Sequence, residues 1–194
     1  MLQRICVFCG SNSGNRPDYR HAVLSLARAA VERRVAIAYG GASRGLMGVL
    51  ADEVLALGGR VYGVLPRRLD LVEIAHPSLT ELYRVESMHQ RKAVMTELAD
   101  AFVALPGGYG TLDELFEALA WSQLGIHRKP VGLLNVAGFF DQLLSYLDHA
   151  VGEGFLSPHH RDLVMTSNHP DDLLDQLSVG IPRMEPEAGE IPLP

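Results

Sequence analysis

Lysine is almost missing from this 194-residue sequence. Only Lys92 and Lys129 occur, beside two cysteines and one tryptophan. No apolar run approaches the length of a membrane span. Basic residues number 17 against 23 acidic ones, and the formal net charge is −6. No global basic field exists to recruit nucleic acid, so an anionic ligand needs a local positive site. Cys6 and Cys9 form C-x-x-C, but they lie in an apolar strand-like run, where residues three apart point to opposite faces. They read as structural thiols, with no disulfide or zinc site. The apolar part of "MLQRICVFCGS" is too short for a signal peptide, and the chain reads as cytoplasmic.

Familiar nucleotide motifs are absent as well. No G-x-x-x-x-G-K-[ST] occurs, which argues against a Walker-type triphosphatase. "YGGASRGLMG" is not G-x-G-x-x-G, because Gly40 and Gly41 are adjacent and the next glycine is Gly45. The following strand-like run, "RVYGVLP", offers no acid for a ribose 2′-hydroxyl. A standard dinucleotide site is therefore not expected.

What is present is the balance of a globular protein, with 47% hydrophobic and 21% charged residues. Near-continuous apolar runs ("RICVFCGS", "VAIAYGG", "RVYGVLP", "ELYRVES", "AFVALPGG", "PVGLLNV", "LVMTS") read as strands. Segments of helical spacing separate most of them, over 17–33, 46–57, 88–99, 112–124 and 139–151, with a last helix after Pro170. Such alternation predicts an α/β fold with a parallel sheet of about seven strands and helices on both faces. One domain is expected over 1–180, followed by a Pro/Glu-rich tail over 181–194.

Ligands in such folds bind beyond the carboxyl ends of the strands. The candidate loops are 10–13, 40–45, 66–68, 86–88 and 106–111, where the glycines gather. "PGGYGT" has a specific capability. Its glycines let a ligand approach the backbone, and its N–H groups, with those opening the next helix, suit a phosphate. Thr111 can add a side-chain hydrogen bond. The acids that follow have a plain explanation: T-x-x-E over 111–114 has capping-box spacing, with Thr111 as the cap and Glu114 reaching back.

Helical geometry adds a second explanation. Leu112, Leu115, Phe116 and Leu119 form a stripe expected to face the sheet, whereas Glu114, Ala118 and Trp121 lie opposite. A second apolar surface implies a ligand or another subunit. The preceding helix opens with Ser87 and Gln90, another capping box. Met88, Arg91, Lys92, Met95 and Ala99 share one of its faces. Cations in a first turn oppose the helix dipole and call for an anionic partner, either a substrate phosphate or a carboxylate such as Glu114.

"GGASRGLMG", "SMHQRK" and "PGGYGTLDE" together resemble the Lonely Guy (LOG) family, the cytokinin riboside 5′-monophosphate phosphoribohydrolases, whose members often carry a lysine decarboxylase label. The resemblance implies a Rossmann-like fold and a homodimer with active sites at the subunit interface. It implies hydrolysis of the N-glycosidic bond of AMP or an N6-substituted AMP, with no cofactor or metal. Matched by motif, Arg91 and Glu114 are the catalytic pair. Lys92, Gly107, Gly108, Tyr109, Gly110 and Thr111 bind the nucleoside 5′-monophosphate, Met88 lines the base, and Glu73 and Gly41 also contact ligand. His76 and Arg67 are weaker candidates. A pyridoxal enzyme fits poorly, because Lys92 already stands beside the phosphate site. A non-catalytic nucleotide-binding module is the alternative to the hydrolase.

Overall fold

The apolar runs pair side by side. The structure, a computed structural model, describes residues 1–68 and 75–181. Among them, strands β1 (Arg4–Phe8), β2 (Ala36–Tyr39), β3 (Val61–Pro66), β4 (Glu81–Val85), β5 (Ala101–Ala104), β6 (Val131–Leu134) and β7 (Val164–Ser167) form one sheet. Every neighbouring pair is parallel, in the order β4-β3-β2-β1-β5-β6-β7. The helices are α1 (Pro17–Glu32), α2 (Gly45–Ala56), α3 (Met88–Leu98), α4 (Tyr109–Gln123), α5 (Asp141–Gly152), α6 (Pro158–Arg161) and α7 (Pro170–Gly180). The seven-stranded α/β expectation holds.

Alternation along the strands divides the core. Ile5 and Val7 of β1 face one layer with Leu26 of α1, Leu50 of α2 and Leu173 of α7. Cys6 and Phe8 face the other, with Met95 of α3, Leu115 of α4 and Leu147 of α5. Cys6 and Cys9 fall in opposite layers as free buried thiols, as their spacing requires. Burial first, and then the charge of Glu114, raises both thiol pKa values.

Two local features go beyond the expected pattern. A 3-10 turn at Val136–Gly138 precedes α5, and α5 starts at Asp141 where 139 was expected. The cause is local: Asn135 Oδ1 accepts from Phe140 N at 2.8 Å, and Ala137 and Gly138 both have positive φ. The short α6 is capped by Ser157, whose hydroxyl accepts from His160 N at 3.1 Å. Glu73 and the tail beyond Ile181 lie outside the described residues.

Sheet order sets the position of any ligand. The chain moves outward from β1 through β2 and β3 to β4, then returns to place β5 on the other side of β1. The crevice between the carboxyl ends of β1 and β5 is the topological switch point.

His127 lies under this sheet, buried, with its ring 5.3 Å from that of Phe102 and Nδ1 accepting from Lys129 N at 3.2 Å. Burial, and after it the Lys129 charge, holds its pKa below the ordinary 6.5. The unfolded ring takes up a proton near that ordinary value, before the folded ring does. The contribution of neutral His127 to stability is therefore complete above pH 6.5 and declines as pH falls towards the folded value. In urea denaturation, the wild type should lose more stability between about pH 7.5 and 5.5 than His127→Leu does.

Candidate active site

The β5–α4 loop is knitted to its neighbours by the backbone. Gly10 N donates to Pro106 O at 3.1 Å, and Leu46 N donates to Gly10 O at 3.0 Å. The loops after β1, β2 and β5 are thereby joined at the switch point. A cleft opens there, lined by Ser11, Asn12, Tyr19, Phe139, Gly107 and Gly108, among others.

α4 begins earlier than the T-x-x-E spacing suggests. Gly108 is its N-cap, and no side chain caps it. Thr111 is therefore a third helical residue, and the capping-box assignment of Thr111 and Glu114 does not hold. The reason is steric. Thr111 is buried and tucked beneath Gly107, where a Cβ on Gly107 would overlap Thr111 Oγ1 and lie 2.9 Å from Gly10 N. With no Cβ at Gly107, Gly108 or Gly110, the chain can turn into the helix at once. The first intrahelical bond runs from Leu112 N to Gly108 O, so the N–H groups of Tyr109, Gly110 and Thr111 stand at the helix end, in an anion-binding arrangement. Added Cβ atoms at Gly108 and Gly110 would meet nothing, so these two glycines leave the approach open. Tyr109 is 94% exposed beside them.

α3 supplies the cation. Half of its capping box forms: Ser87 Oγ accepts from Gln90 N at 3.1 Å, while Gln90 Oε1 accepts from Glu86 N, one residue before the cap, at 2.9 Å. The fourth residue of the helix, Arg91, turns inward. Its Nη2 lies 3.5 Å from Glu114 Oε1, with side-chain exposures of 9% and 11%. Arg91 Nε is buried and has no hydrogen-bond partner among the described residues. Met88, half exposed, has its sulfur 4.0 Å from Arg91 Nη1.

Burying such a pair costs several kcal/mol per ion in desolvation before attraction offsets it. A buried pair at a sheet's carboxyl edge, whose arginine keeps an Nε without a partner among the described residues, is therefore a functional arrangement more than a stabilising one. Next to it, Lys92 Nζ lies 2.8 Å from Asp113 Oδ2 and 2.7 Å from Glu117 Oε2. Burial pulls its pKa down, but hydrogen bonds to both carboxylates win and raise it above the usual lysine value. Lys92 thus ties α3 to α4, where a phosphate contact was expected.

The expected second face of α4 is partly occupied from within the chain. Ala118 is buried, and Glu114, Glu117, Ala118 and Trp121 line a small cavity with Lys92, Met95 and Phe8. Phe116, placed by spacing on the sheet-facing stripe, is exposed instead. Leu112, Leu115 and Leu119 of that stripe do pack against the core, and the fully buried Thr111, Leu115 and Ala118 put the centre of the buried face on the far side of Leu115 from Phe116.

Gly41 has φ +82°, and its Cβ position would lie 3.3 Å from Val64 N; its carbonyl accepts from His76 N at 3.0 Å. It packs on β3 and, like Arg91 and Glu114, does not line the cleft described above. Arg67 is exposed and paired with Glu86 at 2.8 Å. Tyr19 and Phe139, which line the cleft and meet edge-to-face at 5.7 Å, were missed as site residues. Tyr19 carried a signal: it sits in the first turn of α1, hence at the sheet's carboxyl edge. Phe139 carried none, because its position depends on the 3-10 turn.

The fold and site define an α/β protein with a glycine-rich loop and open helix end at a switch point, beside a buried arginine–glutamate pair. Comparison narrows that class. A family profile described as "Possible lysine decarboxylase" matches residues 47–177. Cytokinin riboside 5′-monophosphate phosphoribohydrolase LOG7 of Arabidopsis thaliana is 50% identical over 98% of this chain and 86% of its own length. LOG2 of the same plant is 51% identical over 94% and 85%. A molybdenum cofactor binding protein from Rippkaea orientalis shares the fold at TM-score 0.68 and 20% identity, over 92% of this chain and 97% of its own. The chain belongs to the Lonely Guy (LOG) family of cytokinin riboside 5′-monophosphate phosphoribohydrolases.

The decarboxylase description implies pyridoxal phosphate, and the lysines do not fit it. A Schiff-base lysine needs a free amine near neutral pH, and Lys92 is held charged by two carboxylates. Lys129 donates to Thr96 O at 2.6 Å, away from the switch-point cleft.

Replacing Gly107 by alanine should force Thr111 and the Gly10 backbone apart and distort the loop. AMP binding measured by calorimetry should weaken about tenfold or more, a cost of about 1.4 kcal/mol. Gly152→Ala in α5, where space is equally free and no ligand is placed, should leave it unchanged.

Proposed function

We propose that this protein hydrolyses the N-glycosidic bond of adenosine 5′-monophosphates, both AMP and N6-substituted forms, to free base and ribose 5-phosphate. One observation carries the reading: the buried Arg91–Glu114 pair stands beside the helix end that suits a phosphate. The names of the relatives agree with it.

In the proposed reaction the 5′-phosphate sits on the N–H groups of Tyr109, Gly110 and Thr111, with the glycines admitting it. That remote contact anchors the ribose, and its binding energy serves the bond being broken. Cleavage of the C1′–N bond leaves an oxocarbenium-like ribosyl group and sends the bonding electrons to the base. Glu114, in a site shielded from water, stabilises the cation or orients the attacking water, as a carboxylate does in glycoside hydrolysis. Arg91 stays charged and is a poor proton donor, so its role is electrostatic, at the leaving group or phosphate. Met88 borders the base, and Lys92 holds α3 and α4 in register around the pair.

The protein acts as a homodimer in this reading, with each site completed at the subunit interface. Exposed Met88, Tyr109, Phe116, Leu124 and Ile126, on and just after α3 and α4, support that arrangement. None of the described helices is long and apolar enough to cross a membrane, and two free thiols suit a reducing compartment, so we place it in the cytoplasm.

Chromatography of products from AMP and isopentenyladenosine monophosphate is the direct test. Wild type should release base from both monophosphates and none from the nucleosides. Glu114→Gln should lower kcat by about 10²-fold or more while still binding AMP. Tight AMP binding by the wild type with no base released over hours would instead make it a nucleotide-binding module.

A further inference from the structure

Arg91 has little choice of position, and the reason lies in the β2–α2 loop. A Cβ on Gly40 would overlap Arg91 Nη2 and lie 3.1 Å from Met47 Sδ. The bare Gly40 backbone is therefore the surface on which the guanidinium rests. Three contacts hold that surface. Buried Tyr39 donates from its hydroxyl to Ala42 O at 3.1 Å. His76 N donates to Gly41 O at 3.0 Å, and Ala42 bridges Ala75.

His76 secures the third strap of this arrangement. It is buried at 7% exposure, and its two ring nitrogens have distinct partners. Nδ1 accepts from Ser78 N at 3.3 Å, so the ring proton sits on Nε2. Nε2 then donates to Asp52 Oδ1 at 3.0 Å. Asp52 belongs to α2, the helix that the loop enters, and its side chain is 75% exposed. The ring thus pins the segment after residue 74 to α2, across the loop that backs Arg91.

We propose that the Asp52–His76 pair is a positioning latch for catalysis: it fixes the Gly40–Ala42 backbone and through it the direction of the Arg91 guanidinium towards Glu114. His76 touches neither member of the catalytic pair in this account, and acts through Gly41 and Gly40. This rests on the functional reading above. An arginine that must meet charge developing on the leaving group loses effect when displaced, even where substrate still binds. Displacement should therefore appear in kcat before KM.

The test uses Asp52→Ala, whose exposed position spares the fold, with His76→Leu and His76→Gln. Adenine release from AMP should fall about tenfold in kcat for Asp52→Ala and His76→Leu, with KM within about twofold of wild type. His76→Gln, which keeps an amide donor for Asp52, should restore most of the loss. In an Arg91→Lys background Asp52→Ala should add little, because the two act through one group. Equal losses in both backgrounds, or an unchanged kcat for Asp52→Ala, would overturn the latch. Absence of adenine release from wild type would count against the functional reading alone. The latch is then decided by the Arg91 Nε–H resonance in NMR, identified by its loss in Arg91→Lys. That resonance should shift and exchange faster in Asp52→Ala, and an unmoved resonance rejects the proposal.

Discussion

The right-handedness of parallel crossovers is the constraint on which this site depends. Connections running outward from β1 to β2 and β3 place α1 and α2 on one face of the sheet. Connections running back, from β4 to β5 and on to β6, must place α3 and α4 on the other face. α3 spans the sheet from its edge to β1 and comes to lie beside α4. Both helices start at the carboxyl edge, so the first turns of each bring Arg91 and Glu114 to 3.5 Å. No local preference of either helix could do this.

Once the helices are neighbours, electrostatics organises what lies between them. Lys92 reaches Asp113 and Glu117 together and serves as a strut, although Glu117 Oε2 is buried without a well-formed hydrogen bond among the described residues. Arg91 and Glu114 are buried more deeply, and the arginine keeps an Nε without a partner among the described residues. What separates the two is burial: Lys92 is shared by two carboxylates, of which Asp113 is exposed, whereas Arg91 meets Glu114 in a nearly closed space with hydrogen-bonding capacity in reserve. The Gly107–Thr111 contact plays the matching part on the loop side, folding the chain so that three backbone N–H groups stand at the α4 end.

Periodicity alone made the layers legible. Near-continuous apolar strands between helical segments can be satisfied only by a sheet covered on both faces, and Cys6 and Cys9 fell in opposite layers as their spacing requires. The Ser87–Gln90 cap was legible for the same reason, since caps are local. The T-x-x-E reading failed because a glycine-rich entry lets a helix start before its first capping side chain. Phe116 was misplaced because it lies about 100° round the helix from Leu115, at the edge of the stripe, and packing decides which edge is covered. The ion pairs of Lys92 could not be read from α3 alone, because its carboxylate partners lie on a helix remote in sequence.

"ALPGGYGTLDE" and "SMHQRK" carry the chemistry in their residue types: an anion-accepting glycine loop, a carboxylate, an arginine. Composition and alternation determined the α/β sheet, because burial on a two-faced sheet leaves a pattern in every strand. Tertiary structure decided which cation meets which carboxylate, and which glycine is required by space. It also decided that Gly40, braced through Gly41 by His76, forms the wall behind Arg91. Those choices rest on contacts between segments far apart in the chain, and only the packed fold brings such segments within hydrogen-bonding distance.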